Sequence, residues 1–210
     1  MSKIIKVLGI LTVITLGVTV FNMVTPPMLA SLFQEPDVKT SVVNSVKKSI
    51  VALYSTSLGM RSGFVLTPDG LVVTLNSTIG VKNTISGYFE GDQVSLKNLH
   101  VANDNLALLR MTKSGDLPTV EFADESKIKV GQKVFLVAAT STEKDQWVVL
   151  KGSITQVSSE IITTDITGGS ELSSGPLFNV SGDFLGISYL DTNGRISAVP
   201  INKVRAFKSL

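Results

Sequence analysis

From Ile50 onward the chain breaks into short runs rich in β-branched and aromatic residues, each closed by a turn signal. That rhythm limits its fold more than any other feature. The runs are Ile50–Tyr54, Gly63–Leu66, Leu71–Thr74, Thr84–Phe89, Leu106–Met111, Lys133–Ala138, Trp147–Thr155, Ile161–Thr164, Phe184–Tyr189 and Ile196–Val199. Between two of them stands Thr67-Pro68-Asp69-Gly70, a hairpin turn in which proline presets one dihedral and glycine supplies the positive one. Strands at this spacing with almost no helix between them predict an all-β barrel or sandwich. One helix is expected ahead of them, capped by Asp37 and running to about Val46, with Val38, Val42, Val43 and Val46 as its apolar stripe.

The N-terminus reads differently. Residues 1–6 hold Lys3 and Lys6, and an uncharged apolar run follows from Val7 to Val24. At about 1.5 Å per residue such a helix is about 27 Å long, close to the roughly 30 Å hydrocarbon core of a bilayer. Lysines before the run and none just after it predict a cytoplasmic N-terminus and an exported remainder. Pro26-Pro27 ends the helix, and residues 25–37 read as a tether to a domain spanning 38–210. A cleaved signal peptide is the alternative, with Met28-Leu29-Ala30 as the cleavage region. The run is longer than a usual signal core, and methionine fits the small-residue pattern poorly.

Composition removes several function classes. There is no cysteine, which excludes disulfides, thiolate chemistry and cysteine-based zinc sites. With one histidine and no calcium-loop pattern, neither a metal nor another cofactor is expected. The 19 basic and 17 acidic residues are interspersed, with Lys47-Lys48 as the one basic doublet, so nucleic acid is not an expected partner. Gly168-Gly169-Ser170 lacks the Gly-Lys-Ser/Thr sequel of a phosphate cradle and reads as loop freedom. Trp147, the single tryptophan, opens a strand and is expected to pack on the core.

Several segments, in order, resemble the HtrA/Deg family of trypsin-like serine peptidases. Ser62-Gly63-Phe64-Val65-Leu66-Thr67-Pro68-Asp69-Gly70-Leu71-Val72-Val73-Thr74 is similar to the approach to the family's catalytic histidine. Leu106-Ala107-Leu108-Leu109-Arg110 resembles the strand after its aspartate. Lys127 to Val134 looks like the approach to the second barrel, and Ser173-Ser174-Gly175-Pro176-Leu177-Phe178 like the nucleophile segment. Ser197 to Asn202 looks like the closing strand and the start of a terminal helix. The resemblance implies a trypsin-like double six-stranded β-barrel, preceded here by the one N-terminal transmembrane helix, with a cleft between the barrels. It also implies a bacterial cytoplasmic membrane setting with the domain on the periplasmic side. The family often adds a peptide-binding PDZ domain after the protease domain; this sequence stops at Leu210, and none is expected.

The family's catalytic residues transfer poorly. Ser77 stands at the position of the histidine base, Asn105 at that of the aspartate, with Asp104 one residue earlier. The nucleophile motif Gly-Asn-Ser-Gly-Gly is replaced by Glu171-Leu172-Ser173-Ser174-Gly175, which keeps Ser173 as a remnant nucleophile and puts Glu171 at an oxyanion-hole position. A serine hydroxyl needs a base to attack a carbonyl, and loss of the histidine of such a triad lowers turnover by about 10⁶. The expected protein is therefore a membrane-anchored pseudoprotease that binds a protein or peptide, with an active protease paralogue as a candidate partner. Two other readings stand beside it. One is an active endopeptidase in which His100, read as lying on a strand before Asn105 in a Leu99-His100-Val101 setting, or Lys82 serves Ser173 as a base foreign to the family. The other is a structural subunit of a membrane assembly.

Overall fold

A computed structural model describes residues 37–55, 58–79, 84–101, 105–113, 115–141 and 146–205. The expected anchor, most of the tether, Lys82 and Asp104 lie outside the described residues. Among the described residues no helix is long and apolar enough to cross a membrane.

A short helix, α1 (Thr40–Lys47), precedes β1 (Ile50–Ser55), β2 (Gly59–Val65) and β3 (Leu71–Leu75). A single turn, α2 (Asn76–Ile79), leads on to β4 (Thr84–Phe89), β5 (Asp92–Val101) and β6 (Leu106–Met111). These six strands close a barrel in the order β1-β2-β3-β6-β5-β4. The second half supplies β7 (Lys133–Ala139), β8 (Trp147–Val157), β9 (Ile162–Thr167), β10 (Pro176–Asn179), β11 (Phe184–Leu190) and β12 (Arg195–Pro200). Read from β7, its order is β7-β8-β9-β12-β11-β10, the same connectivity as the first barrel. The domain thus repeats one six-stranded topology, although no repeat is visible in the residues. A last turn of helix, α3 (Ile201–Arg205), closes the described chain.

Each barrel is filled by the inward half of its strands. In the first, Val51, Leu53, Val65, Leu96, Leu109 and others form a closed interior cluster. The second interior merges with the contact between barrels through four fully buried phenylalanines. Phe64 of β2 stacks on Phe184 of β11 with centroids 4.5 Å apart and planes 7° from parallel. Phe178 of β10 meets Phe64 edge-on at 6.3 Å and stacks on Phe135 of β7 at 5.3 Å. Such aromatic pairs add about 0.5–1.5 kcal/mol each beyond the area they bury, so this cluster fixes how the barrels sit. The segment between them is pinned to the second barrel by Ala123 N–H donating to Phe184 O (3.0 Å) and Phe184 N–H to Glu121 O (2.9 Å).

The sequence-based elements hold with specific differences. Gly70 adopts φ +94° and its N–H closes the turn onto Thr67 O at 3.0 Å, as the Pro-Asp-Gly signal predicts. Trp147 opens β8 half-buried against the core. The first helix begins at Thr40 rather than behind Asp37. The Asp37 carboxylate instead accepts from Val38 N–H and pairs with Lys151 on β8 at 3.0 Å, bonds that hold it outside the helix. Strand β10 is unanticipated, and β5 is anticipated only at its Leu99-His100-Val101 end. In β5 the polar residues Asp92, Gln93, Ser95 and Lys97 face solvent, so only Val94 and Leu96 mark an inner face. Strand β10 is four residues long and starts at a proline, a signal that normally argues against a strand.

Candidate functional site

Ser77, Asn105 and Ser173, the three positions singled out by the resemblance, lie at strand ends and in connections of the two barrels. Strand β3 runs out at Leu75, paired with Leu106 at the start of β6. The chain then turns through α2, and Asn76 N–H donates to Asn105 O at 2.7 Å. Ser77 at the base position therefore sits beside Asn105 at the orienting position. Both are exposed, and Asn105 has φ +61°, a left-handed conformation that asparagine tolerates better than most residues. From the second barrel, the β9–β10 connection is the topological counterpart of the β3–β4 connection. It carries a 3₁₀ turn (Ser170–Leu172) and then Ser173 and Ser174. The two connections meet where Thr78 Oγ1 and Ser174 Oγ lie 2.6 Å apart in a buried hydrogen bond. The two connections that the resemblance assigns to base and nucleophile are thus joined by a hydrogen bond.

Ser173 is half-buried, and its amide N–H and hydroxyl oxygen have internal partners. Its hydroxyl accepts from Leu190 N–H at 3.2 Å. Its N–H donates to Ser170 O at 3.1 Å, closing the 3₁₀ turn. In trypsin-like chemistry that N–H and the one two residues earlier stabilise the oxyanion. Here one of the two is turned in on its own loop. Glu171, at the other donor position, is exposed, and a Cβ on Gly169 would run into its carboxylate. That carboxylate is the end of a flexible side chain and could move aside, so the contact alone does not require glycine at 169. The loop is held from beneath by Ser188 on β11: Ser174 N–H donates to Ser188 O (2.7 Å), Ser188 N–H to Gly175 O (2.8 Å) and Ser188 Oγ to Leu172 O (2.7 Å).

His100 is an exposed residue of β5 opposite Leu108, with β6 between its strand and β3. A residue that sequence reasoning missed stands nearer the nucleophile loop. Arg61 on β2 is 7% exposed and donates to Met60 O at 2.7 Å. Burial pulls its guanidinium below the usual arginine range, and the Glu171 carboxylate opposes that shift. Between the barrels a cleft of about 300 Å³ is lined by Asn105, Glu160, Tyr189, Val199 and Lys203. Burial and the nearby Asp191 charge raise the Tyr189 hydroxyl above its ordinary pKa, while a hydrogen bond with Ser197 works against them. Lys203 pairs with Glu160 at 3.1 Å across this cleft. Among the described residues no group of three or more histidine or acidic side chains gathers to hold a metal ion. Chemically, the site offers a serine hydroxyl bonded to Leu190 N–H, a Ser173 amide bonded within its own loop and a polar cleft with one aromatic wall.

Residues 61–187 match the family described as the trypsin-like peptidase domain. The chain is 27% identical over 203 residues to "Serine protease HTR4" of Bos taurus, covering 80% of this chain and 40% of that protein. It is 31% identical over 144 residues to a "Probable periplasmic serine endoprotease DegP-like" of Marinomonas sp. (strain MWYL1), covering 63% of this chain and 29% of that protein. To "Serine protease HTRA1A" of Danio rerio it is 26% identical over 185 residues, 77% of this chain and 36% of the relative. The chain spans two fifths or less of the length of these relatives.

Proposed function

The chain belongs to the trypsin-like peptidase family and carries an HtrA/Deg-type domain, and from that premise we propose that it is a pseudoprotease whose cleft binds a protein or peptide without cleaving it. The observation that carries this reading is the state of Ser173. Its hydroxyl is bonded to Leu190 N–H, its amide is committed to Ser170 O, and the turn that should offer it an imidazole offers Ser77.

The magnitudes favour binding over chemistry. Loss of a triad histidine lowers turnover by about 10⁶, and an asparagine at the orienting position by about 10⁴ when the histidine is present. The residual activity of such variants, about 10³–10⁴ over water, comes from an intact oxyanion hole and substrate binding. A loop with the Ser173 amide turned inward supplies half of that hole at most. A barrel pair fixed by buried phenylalanines and a cleft with Tyr189, Val199 and Lys203 on its wall remain suited to holding a polypeptide.

The domain works, in this reading, outside the cytoplasm on a membrane tether. The uncharged run Val7–Val24 behind Lys3 and Lys6 supports the anchor, and the periplasmic naming of bacterial relatives supports the side. An active protease paralogue is the partner class that fits a catalytically silent copy of the same fold. Co-purification from a membrane extract tests this directly. A partner retained by the natural full chain and lost by Tyr189→Ala and Lys203→Ala is expected. A partner held equally by both variants would reassign the protein to a membrane-assembly role, and casein hydrolysis by the natural chain would reassign it to the peptidases.

A further inference from the structure

We propose that Thr78 and Ser174 form an inter-barrel latch, a buried hydroxyl pair that ties the turn of the vacated base to the nucleophile loop and keeps that loop turned in on itself. Their oxygens are 2.6 Å apart although the residues are 96 apart in sequence. Thr78 is 3% exposed and Ser174 fully buried. Each is the immediate neighbour of a former catalytic position, Thr78 of Ser77 and Ser174 of Ser173.

Ser174 is the informative member. It stands where the motif Gly-Asn-Ser-Gly-Gly has glycine, and its backbone keeps a glycine-like φ of +72°. A side chain in that conformation is strained and persists only where its surroundings over-determine it. They do so here. Its N–H bonds Ser188 O, the next residue's carbonyl accepts from Ser188 N–H, and its hydroxyl reaches Thr78. The two hydroxyls also depend on each other, because a buried hydroxyl without a partner is costly, while a matched pair of apolar groups in the same space is not.

The latch joins the β3–β4 and β9–β10 connections, the equivalent loops of the two barrels. In a peptidase of this fold the link between them is the hydrogen bond from nucleophile to base. Here a pair of unreactive hydroxyls makes the link one residue further along each loop. A second bond across the barrels, Ala139 N–H to Ser62 Oγ at 2.9 Å, joins β7 to β2, outside the two loops. The inference stands whether or not the cleft binds a peptide.

A double-mutant cycle on the full chain tests it, read by urea unfolding and by amide exchange at Ser173 and Ser174. Thr78→Val and Ser174→Ala each strand one hydroxyl, and each is expected to lower the folding constant about tenfold. Thr78→Val/Ser174→Ala strands neither and is expected to be no worse than either single variant. A double variant showing the product of the two effects, about a hundredfold, would mean that the hydroxyls act independently and would overturn the latch. Should the single variants not fold, Thr78→Val/Ser174→Gly removes both hydroxyls and the backbone strain together. It is expected to keep global stability while the Ser173 amide exchanges about tenfold faster; unchanged Ser173 protection there would overturn the latch equally.

Discussion

Rebuilding the triad one position at a time separates the three functions missing from the site. Ser77 is exposed on α2, so Ser77→His places an imidazole in open space with no core to disturb. Its Nδ1 would face Asn105, and an asparagine there costs about 10⁴ in turnover because it favours the wrong tautomer. The Ser173 N–H remains bonded to Ser170 O, and a missing oxyanion donor costs about 10²–10³. If these losses multiply, Ser77→His alone stays about 10⁶–10⁷ below a complete site, under the detection limit of a casein assay. Asn105→Asp is compatible with the fold, because aspartate shares asparagine's tolerance for the +61° backbone found there. Glu171→Gly removes the exposed carboxylate, whose charge would oppose a developing oxyanion, and gives the loop backbone more freedom. Only Ser77→His/Asn105→Asp/Glu171→Gly together is expected to give measurable turnover of a fluorogenic peptide. Circular dichroism on each variant confirms folding. Substantial turnover by Ser77→His alone would refute the reasoning, because it would require an oxyanion hole already open around Ser173.

Three further outcomes follow from the packing and the charges. Phe184→Ala removes the ring stacked on Phe64, and urea denaturation should show a loss of about 3–5 kcal/mol. Gly70→Ala puts a Cβ 3.0 Å from Lys113 O at φ +94°, so thermal unfolding should show a loss of about 1 kcal/mol or more. The Lys151 bond, followed by the Val38 N–H, holds the Asp37 carboxyl below its ordinary pKa. A carboxyl lowered in the folded state adds stability above its unfolded pKa and loses that contribution as pH falls through the folded value. NMR titration of Lys151→Ala should therefore find the Asp37 pKa raised toward the ordinary aspartate value, and an unmoved titration would mean that Lys151 is not its main partner.

What the residues alone disclosed follows their physics. Alternating apolar runs and the Thr67–Gly70 turn announce antiparallel β-structure because local sterics and one buried face are enough to specify it. The first part of strand β5 stayed hidden because its outer residues are polar, and its end carries a bulge, with Leu99 exposed rather than facing inward. Strand β10 stayed hidden because its proline is tolerated only where no ladder donor is needed. Ser77, Asn105, Ser173 and Glu171 could be singled out because each sits in a short motif next to a strand end. Thr78, Ser174 and Arg61 could not. Their significance lies in contacts between the barrels, and the Thr78–Ser174 bond spans 96 residues. The inward turn of the Ser173 amide is likewise a backbone property of Ser170–Leu172 that no side chain in that stretch announces.

Fluorophosphonate labelling of the natural full-length protein tests the central claim most directly, since the probe reacts with a serine only when a base activates it. With Ser173→Ala as control and an active trypsin-like peptidase alongside, the account predicts no Ser173-dependent label after exposure that saturates the active enzyme. Stoichiometric labelling that disappears in Ser173→Ala would contradict it. Loss of that same label in His100→Ala or Lys82→Ala would then identify the base.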